Sequence, residues 1–286
     1  MAGIRSPGMV YVTTFHGPSF LFFFVAEIDE GSSVMKKTKL FIFLVACSLM
    51  CANSVEAAGF KISLGIRETG STMPIFGNGG SSGGIEWVDK DAQTLTADGT
   101  WQLFTFTPNA AGALSAFAGG TADSLLSTDT GTIEHIRLLN DEGITAPFRV
   151  WIDDVTNTVA SGPVVENFDS AALASEVMFN EPDFSGSTAG NLVAGGTTAV
   201  TDAMAFSGSQ SLEVATQFNS NNPAGWLRLT TFNAANLPNP TVIFREPGAP
   251  NPTISFYAKA TVIPEPASVL LMGISVIGLG FVRNRS

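Results

Sequence analysis

Apolar and polar residues alternate in short segments along most of the chain between positions 60 and 260. A period of two is that of a β-strand with one buried face, and no long stretch has the period of a helix. Glycine, serine and asparagine separate the alternating segments, as they do in tight turns. The pattern predicts an all-β protein with strands at 60–67, 85–88, 101–107, 133–139, 148–155, 164–168, 211–218, 226–232, 240–245 and 253–260.

The same alternation predicts which side chains face a core and which face outward. Two further stretches, 112–130 and 169–206, are rich in small or polar residues, and no strand is predicted there. The predicted core positions are Phe60, Ile62, Leu64, Ile66, Ile136, Leu138, Phe148, Val150 and Ile152, and the predicted outward positions are His135, Arg137, Arg149, Trp151 and Asp153.

The segment 35–57 has the three parts of a signal peptide: a basic start, an apolar middle and small residues before the cleavage position. We expect the Sec translocon to export the chain and signal peptidase to cut between Ala57 and Ala58. Because a signal peptide acts at the N-terminus, the segment 1–34 is expected to be untranslated or a disordered extension. The alternative is a long leader that precedes the signal peptide.

The C-terminal segment 263–286 combines three features. Pro264, Glu265 and Pro266 precede an apolar run at 267–282, and Arg283 and Arg285 follow it. As a helix, the run would be about 24 Å long, close to the thickness of a hydrocarbon core, and the arginines would stay on the cytoplasmic side.

These features in this order resemble the PEP-CTERM sorting tail of Gram-negative bacteria. The resemblance implies transient anchoring in the inner membrane by a transmembrane helix at 267–282. It also implies recognition by an exosortase and delivery to the cell surface or extracellular matrix. The alternative is an ordinary C-terminal anchor helix, which leaves the Pro-Glu-Pro motif unexplained.

Composition limits what the exported segment 58–262 can do. Cys47 and Cys51 both lie inside the predicted signal peptide, so this segment has no disulfide and must be held together by its core or by a metal. It contains twenty Asp and Glu residues against eight Lys and Arg residues. Such acidity disfavours binding to nucleic acid and to anionic lipid, and is compatible with cation binding or simply with solubility.

Several motifs of this segment resemble those of carbohydrate-binding-type jelly rolls, a β-sandwich fold. The order differs from that of the family: in this chain the motifs of the family's second half come before those of its first half. The resemblance implies a circularly permuted jelly roll with halves at 58–160 and 163–261, and the alternative is two small sandwiches. The motifs are WQLFTF at 101–106, IDDV at 152–155, ENFD at 166–169, SGSQSLEV at 207–214 and ISFYAKA at 254–260.

In the jelly-roll family the first and last strands often share a structural calcium ion. The resemblance places the candidate ligands here at Asp153, Asp154, Glu166 and Asp169. Calcium takes six to eight oxygen ligands, which carboxylates and backbone carbonyls could supply. The alternative is that these carboxylates end a strand in solvent.

Sugar binding needs a flat exposed aromatic ring with hydrogen-bonding side chains beside it. Trp151 shares its predicted face with Arg149, and Trp226 shares its face with Arg228. Trp87, beside a glycine-rich stretch, is a third candidate. The alternative for each tryptophan is a place in the core.

Catalysis is the least favoured function, because His135 is the only histidine after the signal peptide and no nucleophile motif is present. Paired carboxylates at Glu68, Glu86 or Glu134 would be needed for a glycoside-active enzyme. The leading hypothesis is therefore a non-catalytic exported protein that binds extracellular polysaccharide. The second is a purely structural envelope or biofilm-matrix protein without a defined ligand.

Overall fold

The computed structural model describes residues 10–17, 20–27, 58–68, 84–159, 164–231, 241–248 and 251–263. Its contacts divide the chain into two compact units, Met1–Val55 and Glu56–Ser286. The strands are β1 (Val10–Gly17), β2 (Phe20–Glu27), β3 (Gly59–Arg67), β4 (Ile85–Thr96), β5 (Gln102–Phe106), β6 (Leu114–Ala118), β7 (Thr130–Leu139), β8 (Phe148–Thr158), β9 (Val164–Glu166), β10 (Thr197–Thr201), β11 (Ser211–Thr216), β12 (Trp226–Thr230), β13 (Thr241–Ile243) and β14 (Thr253–Val262).

In the first unit, β1 and β2 pair as an antiparallel hairpin in which Val10 is opposite Glu27 and Gly17 is opposite Phe20. The hairpin lies in the segment 1–34, for which the sequence predicts an untranslated or disordered extension.

The second unit contains two antiparallel sheets of six strands each. The first sheet has the order β10-β11-β8-β14-β5, with β9 also paired to β8. The second sheet has the order β12-β7-β3-β4-β6, with β13 also paired to β7. A short 3-10 helix at Ala189–Asn191 is the one helical element among the described residues. The prediction of an all-β protein with a sandwich-like architecture is therefore confirmed.

Each sheet draws strands from both of the segments 58–160 and 163–261. The first sheet joins β5 and β8 to β9, β10, β11 and β14, and the second joins β3, β4, β6 and β7 to β12 and β13. The jelly-roll strand order and its circular permutation stay predictions.

One apolar cluster fills the space between the two sheets. The ring centroid of Phe148 lies 4.7 Å from that of Phe60 and 5.3 Å from that of Phe218. All nine predicted core positions belong to this cluster, which confirms the inward face of β3, β7 and β8. Burial of a phenylalanine side chain contributes about 1.5–3 kcal/mol, so this core holds the segment 58–262 together without a disulfide.

Two strands form where the sequence predicts none. β6 lies in the predicted loop 112–130, and β10 lies in the polar stretch 169–206. Both are five-residue strands at or near an edge, where pairing with a neighbour rather than a strong apolar pattern decides whether a strand forms. The prediction of loops at these places was wrong.

None of the described residues belongs to a helix that has both the length and the apolar character needed to cross a membrane. The predicted signal peptide at 35–57 and the predicted transmembrane helix at 267–282 lie outside the described residues.

Candidate functional site

The outer face of the second sheet gathers aromatic rings and guanidinium groups from four of its strands. We call this set the arginine–aromatic cluster; it consists of Trp87 on β4, Phe117 on β6, Arg137 on β7, and Trp226 and Arg228 on β12. Trp87 and Arg137 are buried, while Phe117, Trp226 and Arg228 are half-buried and form its outer layer.

The cluster shows that the second sheet curves toward this face. Four inter-strand spacings separate β12 from β6, which is about 19 Å in a flat sheet. The ring centroids of Trp226 and Phe117, on these two strands, are only 5.7 Å apart. Two side chains cannot span the remaining distance unless the strands bend toward each other, so this face is concave.

The three rings of the cluster contact one another. Trp87 and Phe117 stack with 4.4 Å between ring centroids, and Trp226 meets Trp87 edge-on at 5.8 Å. Stacked and edge-to-face pairs of this kind add about 0.5–1.5 kcal/mol beyond the burial of their area. The rings therefore form one rigid aromatic surface.

Cationic groups lie over these rings. The guanidinium carbon of Arg137 is 4.7 Å from the centroid of Trp87 and 5.2 Å from that of Trp226, and that of Arg228 is 5.2 Å from the centroid of Phe117. The exposed ammonium of Lys90 lies 4.8 Å from the Trp87 centroid. Arg137 also forms an ion pair with Asp91. Cation–π attraction thus holds the guanidinium groups at the aromatic surface.

Beneath the cluster, a hydrogen-bonded chain joins Trp87, His135 and Glu134. The indole Nε1–H of Trp87 donates to Nε2 of His135 at 2.8 Å, and Nδ1 of His135 contacts Oε2 of Glu134. Because an indole can only donate, Nε2 must be unprotonated and the ring proton must be on Nδ1, from which it is donated to the carboxylate. The imidazole is therefore neutral, and both of its nitrogens are engaged.

A β-bulge places Glu134 and His135 on the same face. The pairing of β3 with β7 shifts so that Gly65 is opposite His135 while Ile66 is opposite Ile133, which leaves Glu134 as the extra residue. Gly65 also makes room for the imidazole, because a Cβ atom at this position would overlap with the ring of His135. Because Gly65 on β3 has no side chain, Trp87 on β4 can reach across β3 to His135 on β7.

Nearby charges and burial keep the hydrogen-bonded residues His135 and Glu134 in one protonation state. Burial lowers the pKa of His135, and the nearby Arg228 and Arg137 lower it further, against the opposing effect of Glu134. Burial alone would raise the pKa of Glu134, but His135, Arg228 and Arg67 together lower it. Oε1 of Glu134 lies 3.8 Å from Arg67 Nη2 and 4.0 Å from Arg228 Nη2. A neutral histidine beside a charged glutamate is the stable combination.

The structure brings together three of the five predicted sugar-binding residues: Trp87, Trp226 and Arg228 are all in the cluster. Trp151 and Arg149 lie instead on β8 of the first sheet. The side chain of Arg149 is 46% exposed and pairs with Glu213 at 3.3 Å.

Trp151 and Trp87 do not have the exposed flat rings on which a sugar could stack. Trp151 is 5% exposed and Trp87 is 8% exposed. The ammonium of Lys259, on the adjacent strand β14, lies 5.8 Å from the centroid of the Trp151 ring. Of the three tryptophans predicted to bind sugar, Trp226 is the one that is only half-buried, and it belongs to the arginine–aromatic cluster.

The predicted calcium ligands bind a loop of this chain. Asp153 Oδ2 accepts hydrogen bonds from the backbone N–H groups of Phe206 at 2.8 Å and Ser207 at 3.2 Å, and Asp154 accepts from the Ser207 hydroxyl at 3.0 Å. Asp169 Oδ1 accepts from the backbone N–H of Ser209 at 2.7 Å. These carboxylates together fix the loop 206–210.

Glu166, the fourth predicted calcium ligand, forms no hydrogen bond with this loop among the described residues but accepts one from the backbone N–H of Phe168, two residues along the chain, at 2.6 Å. Burial raises the pKa of Asp153, whereas the hydrogen bond from Ser209 lowers the pKa of Asp169. Across the described part of the chain, no three His, Cys, Asp or Glu residues are grouped so as to hold a metal ion.

Two of the three suspected catalytic glutamates fix another loop. Oε1 of Glu86 accepts hydrogen bonds from the backbone N–H groups of Asp123 at 2.7 Å and Ser124 at 3.1 Å. Glu68 accepts a hydrogen bond from the backbone N–H of Ser127 at 2.6 Å. Burial raises the pKa of Glu86. The third, Glu134, is hydrogen-bonded to His135 beneath the cluster.

Sequence reasoning missed Phe117, Arg137 and His135 as members of this site. The alternation of β7 did place His135 and Arg137 outward, but nothing in the sequence shows that they meet Trp87 and Trp226 across other strands. Phe117 was missed because its strand lies in a predicted loop.

The match to a known protein family concerns the C-terminal tail rather than the two six-stranded sheets. Residues 262–285 match the PEP-CTERM protein-sorting motif, which confirms the predicted tail. The chain therefore carries a sorting signal of the kind that exosortase recognises, and it is an exported protein sorted through the membrane of a Gram-negative bacterium. Comparisons with curated proteins and with solved structures found no match.

Proposed function

We propose that this exported protein binds extracellular polysaccharide through the arginine–aromatic cluster on the concave face of its second sheet. The observation that carries the proposal is the convergence of Phe117, Trp226 and Arg228, all partly accessible, on one curved face. A sugar ring has an apolar face and a polar rim, and it pairs with an aromatic ring that has hydrogen-bond donors beside it.

The cluster is also rigid before a ligand arrives. Trp87 and Arg137 are held beneath the outer layer by stacking, by the ion pair with Asp91 and by the hydrogen bond to His135. A binding surface that is already ordered loses less conformational entropy when it binds. This rigidity supports a defined binding site on the second sheet.

Co-sedimentation of the exported protein, purified from a Gram-negative bacterium that exports it, with the exopolysaccharide of that bacterium tests the proposal. We expect saturable binding, and we expect Trp226→Ala to weaken it at least tenfold. Phe206→Ala is the matched control, because Phe206 is a partly exposed ring that stacks on Tyr257 of the first sheet. Loss of binding in the control but not in Trp226→Ala would contradict the proposed site.

A purely structural role in the envelope or matrix is the second candidate. The burial of Trp87 and Trp151 favours it, because a ring enclosed by protein contributes stability rather than ligand contact. Tryptophan fluorescence that does not change with any polysaccharide, together with failure to co-sediment, would favour this role over the first.

The proposal includes a non-catalytic role. His135 is fully buried with both ring nitrogens engaged, so it has no free nitrogen to act as a general base. Glu134 is held by His135 and two arginines, and Glu68 and Glu86 accept backbone N–H groups of a loop. Detection of polysaccharide hydrolysis by the purified protein would overturn this part.

We further propose that Sec export and signal peptidase cleavage between Ala57 and Ala58 precede exosortase action at the tail, and that the mature protein reaches the cell surface or extracellular matrix. Mass spectrometry of the exported protein should find an N-terminus at Ala58 and a C-terminus near Pro264. Retention of the residues after Pro266 in the surface fraction would contradict exosortase removal of the tail.

A further inference from the structure

We propose that the arginine–aromatic cluster selects polysaccharides that carry carboxylate groups, such as polymers of uronic acids. This inference rests on the proposed function and specifies the ligand class of the same site.

The charge of the cluster is opposite to that of the chain around it. Arg67, Arg137, Arg228 and Lys90 all lie in or against the cluster, where Glu134 pairs with Arg67 and Arg228, and Asp91 pairs with Arg137. The segment 58–262 as a whole has twenty acidic and only eight basic residues. Half of its cations are therefore gathered at one face.

The cluster also has hydrogen-bond donors left over. Nε–H groups of Arg137 and Arg228 are buried, and neither has a hydrogen-bond partner among the described residues. Arg228 reaches Glu134 only at 4.0 Å, which is an ion pair without a hydrogen bond. A guanidinium held in this way retains unused donors that match the two oxygens of a carboxylate.

The position of Arg228 leaves part of its side chain within reach of a bound polymer. Its side chain is 15% exposed, and its guanidinium lies over the half-buried ring of Phe117, next to Trp226. A sugar stacked on this aromatic surface would place a ring carboxylate beside the guanidinium. The aromatic rings would bind the apolar face of the sugar, and Arg228 would distinguish an acidic sugar from a neutral one.

The test compares a polyuronate, polygalacturonate, with the same polymer after its carboxylates have been reduced to alcohols. We expect the exported protein to bind the polyuronate at least tenfold more tightly than the reduced polymer. We also expect rising salt concentration to weaken the binding of the polyuronate alone, because salt screens charge–charge attraction.

Arg228→Gln should abolish the preference between the two polymers, and Arg149→Gln, which changes an exposed arginine of the first sheet, should leave it intact. Circular dichroism of both variants establishes that they are folded. Equal binding of the two polymers would overturn the inference and leave the proposed function standing. Failure to bind polygalacturonate while binding the exporting bacterium's own polysaccharide would also overturn the inference alone, and failure to bind any polysaccharide would overturn both.

Discussion

The outer face of the first sheet and that of the second each hold a buried tryptophan, but the groups around the two rings differ. Trp151, on the first sheet, has a cation from Lys259 over its ring and no hydrogen-bond partner for its N–H among the described residues. Trp87, on the second sheet, donates to a buried histidine, stacks on Phe117 and has the guanidinium of Arg137 over its ring.

The carboxylates of the two faces also act differently. On the first face Asp153 accepts backbone N–H groups of a loop and has a raised pKa, because burial disfavours its charge. On the second face Glu134 has a lowered pKa, because His135, Arg228 and Arg67 oppose the effect of burial. The first face therefore uses Asp153 to hold a loop of the same chain, whereas the second uses Glu134 to pair buried arginines and a buried histidine.

The largest expected difference between the faces comes from neutralising these two carboxylates. Glu134→Gln removes the anion that faces Arg67, Arg228 and His135, and we expect a loss of about 3–5 kcal/mol in the free energy of unfolding. Asp153→Asn keeps an oxygen that accepts the same N–H groups, and we expect a loss of only about 1 kcal/mol. Urea unfolding followed by far-ultraviolet circular dichroism measures both, and equal losses would show that Glu134 is not needed in its charged form.

The next test concerns the space that Gly65 leaves for His135. In Gly65→Ala the new Cβ would overlap with the imidazole, so the ring and its hydrogen bonds must shift, and we expect a loss of about 1–3 kcal/mol. Gly186→Ala is the control, because no atom lies within 4 Å of the added Cβ there. If the two variants have the same midpoint of unfolding, the close contact of Gly65 with His135 is absent in solution.

A smaller difference is expected when each buried tryptophan is replaced by phenylalanine. Trp87→Phe leaves Nε2 of the fully buried His135 without a donor, whereas Trp151→Phe removes an N–H that makes no hydrogen bond. We therefore expect Trp87→Phe to cost about 1–2 kcal/mol more than Trp151→Phe. A larger cost for Trp151→Phe would mean that ring volume, rather than the hydrogen bond, decides the contribution of the two tryptophans.

The smallest expected effect is the dependence of stability on pH. His135 has a pKa of about 6.5 when unfolded, and burial lowers its pKa in the folded protein. The unfolded chain therefore binds more protons below about pH 6.5, so the free energy of unfolding falls as pH decreases from that value. The lowered pKa of Glu134 adds a further loss below about pH 4.5.

His135→Gln removes the histidine contribution and should flatten the decline between about pH 6.5 and 5. Asp153 has the opposite sign: its raised pKa stabilises the folded protein in acid, and this contribution is lost as pH rises above the usual pKa of an aspartate and through the raised pKa of the folded protein. Urea unfolding at intervals of half a pH unit separates the two, and an unchanged slope in His135→Gln would show that His135 does not titrate differently in the two states.

Local pattern was enough to predict most strands and the side chains that face the core. β3, β7 and β8 alternate cleanly, so Phe60, Ile136 and Val150 could be placed inside without knowing which strand pairs with which. β6 and β10 could not be predicted in this way, because their short sequences become strands only by pairing with β4 and β11.

The candidate site was predictable only in fragments. Trp87, Trp226 and Arg228 were identified as residues suited to sugar binding, but so were Trp151 and Arg149, which lie on the other sheet. Residue type says what a side chain can bind. Strand order decides which of those side chains meet, and that order depends on contacts between residues far apart in the chain.

The sorting tail, the all-β class and the inward faces of the main strands could all be predicted from the amino-acid sequence. A sorting motif is read from contiguous residues, and a strand's buried face follows from a period of two, so neither needs tertiary contacts. Only the tertiary structure decided that a bulge sets Glu134 beside His135, that Gly65 admits the imidazole, and that Trp87, Phe117 and Trp226 converge on a curved face. Sheet curvature and cross-strand register bring these residues together, and no local pattern records either one.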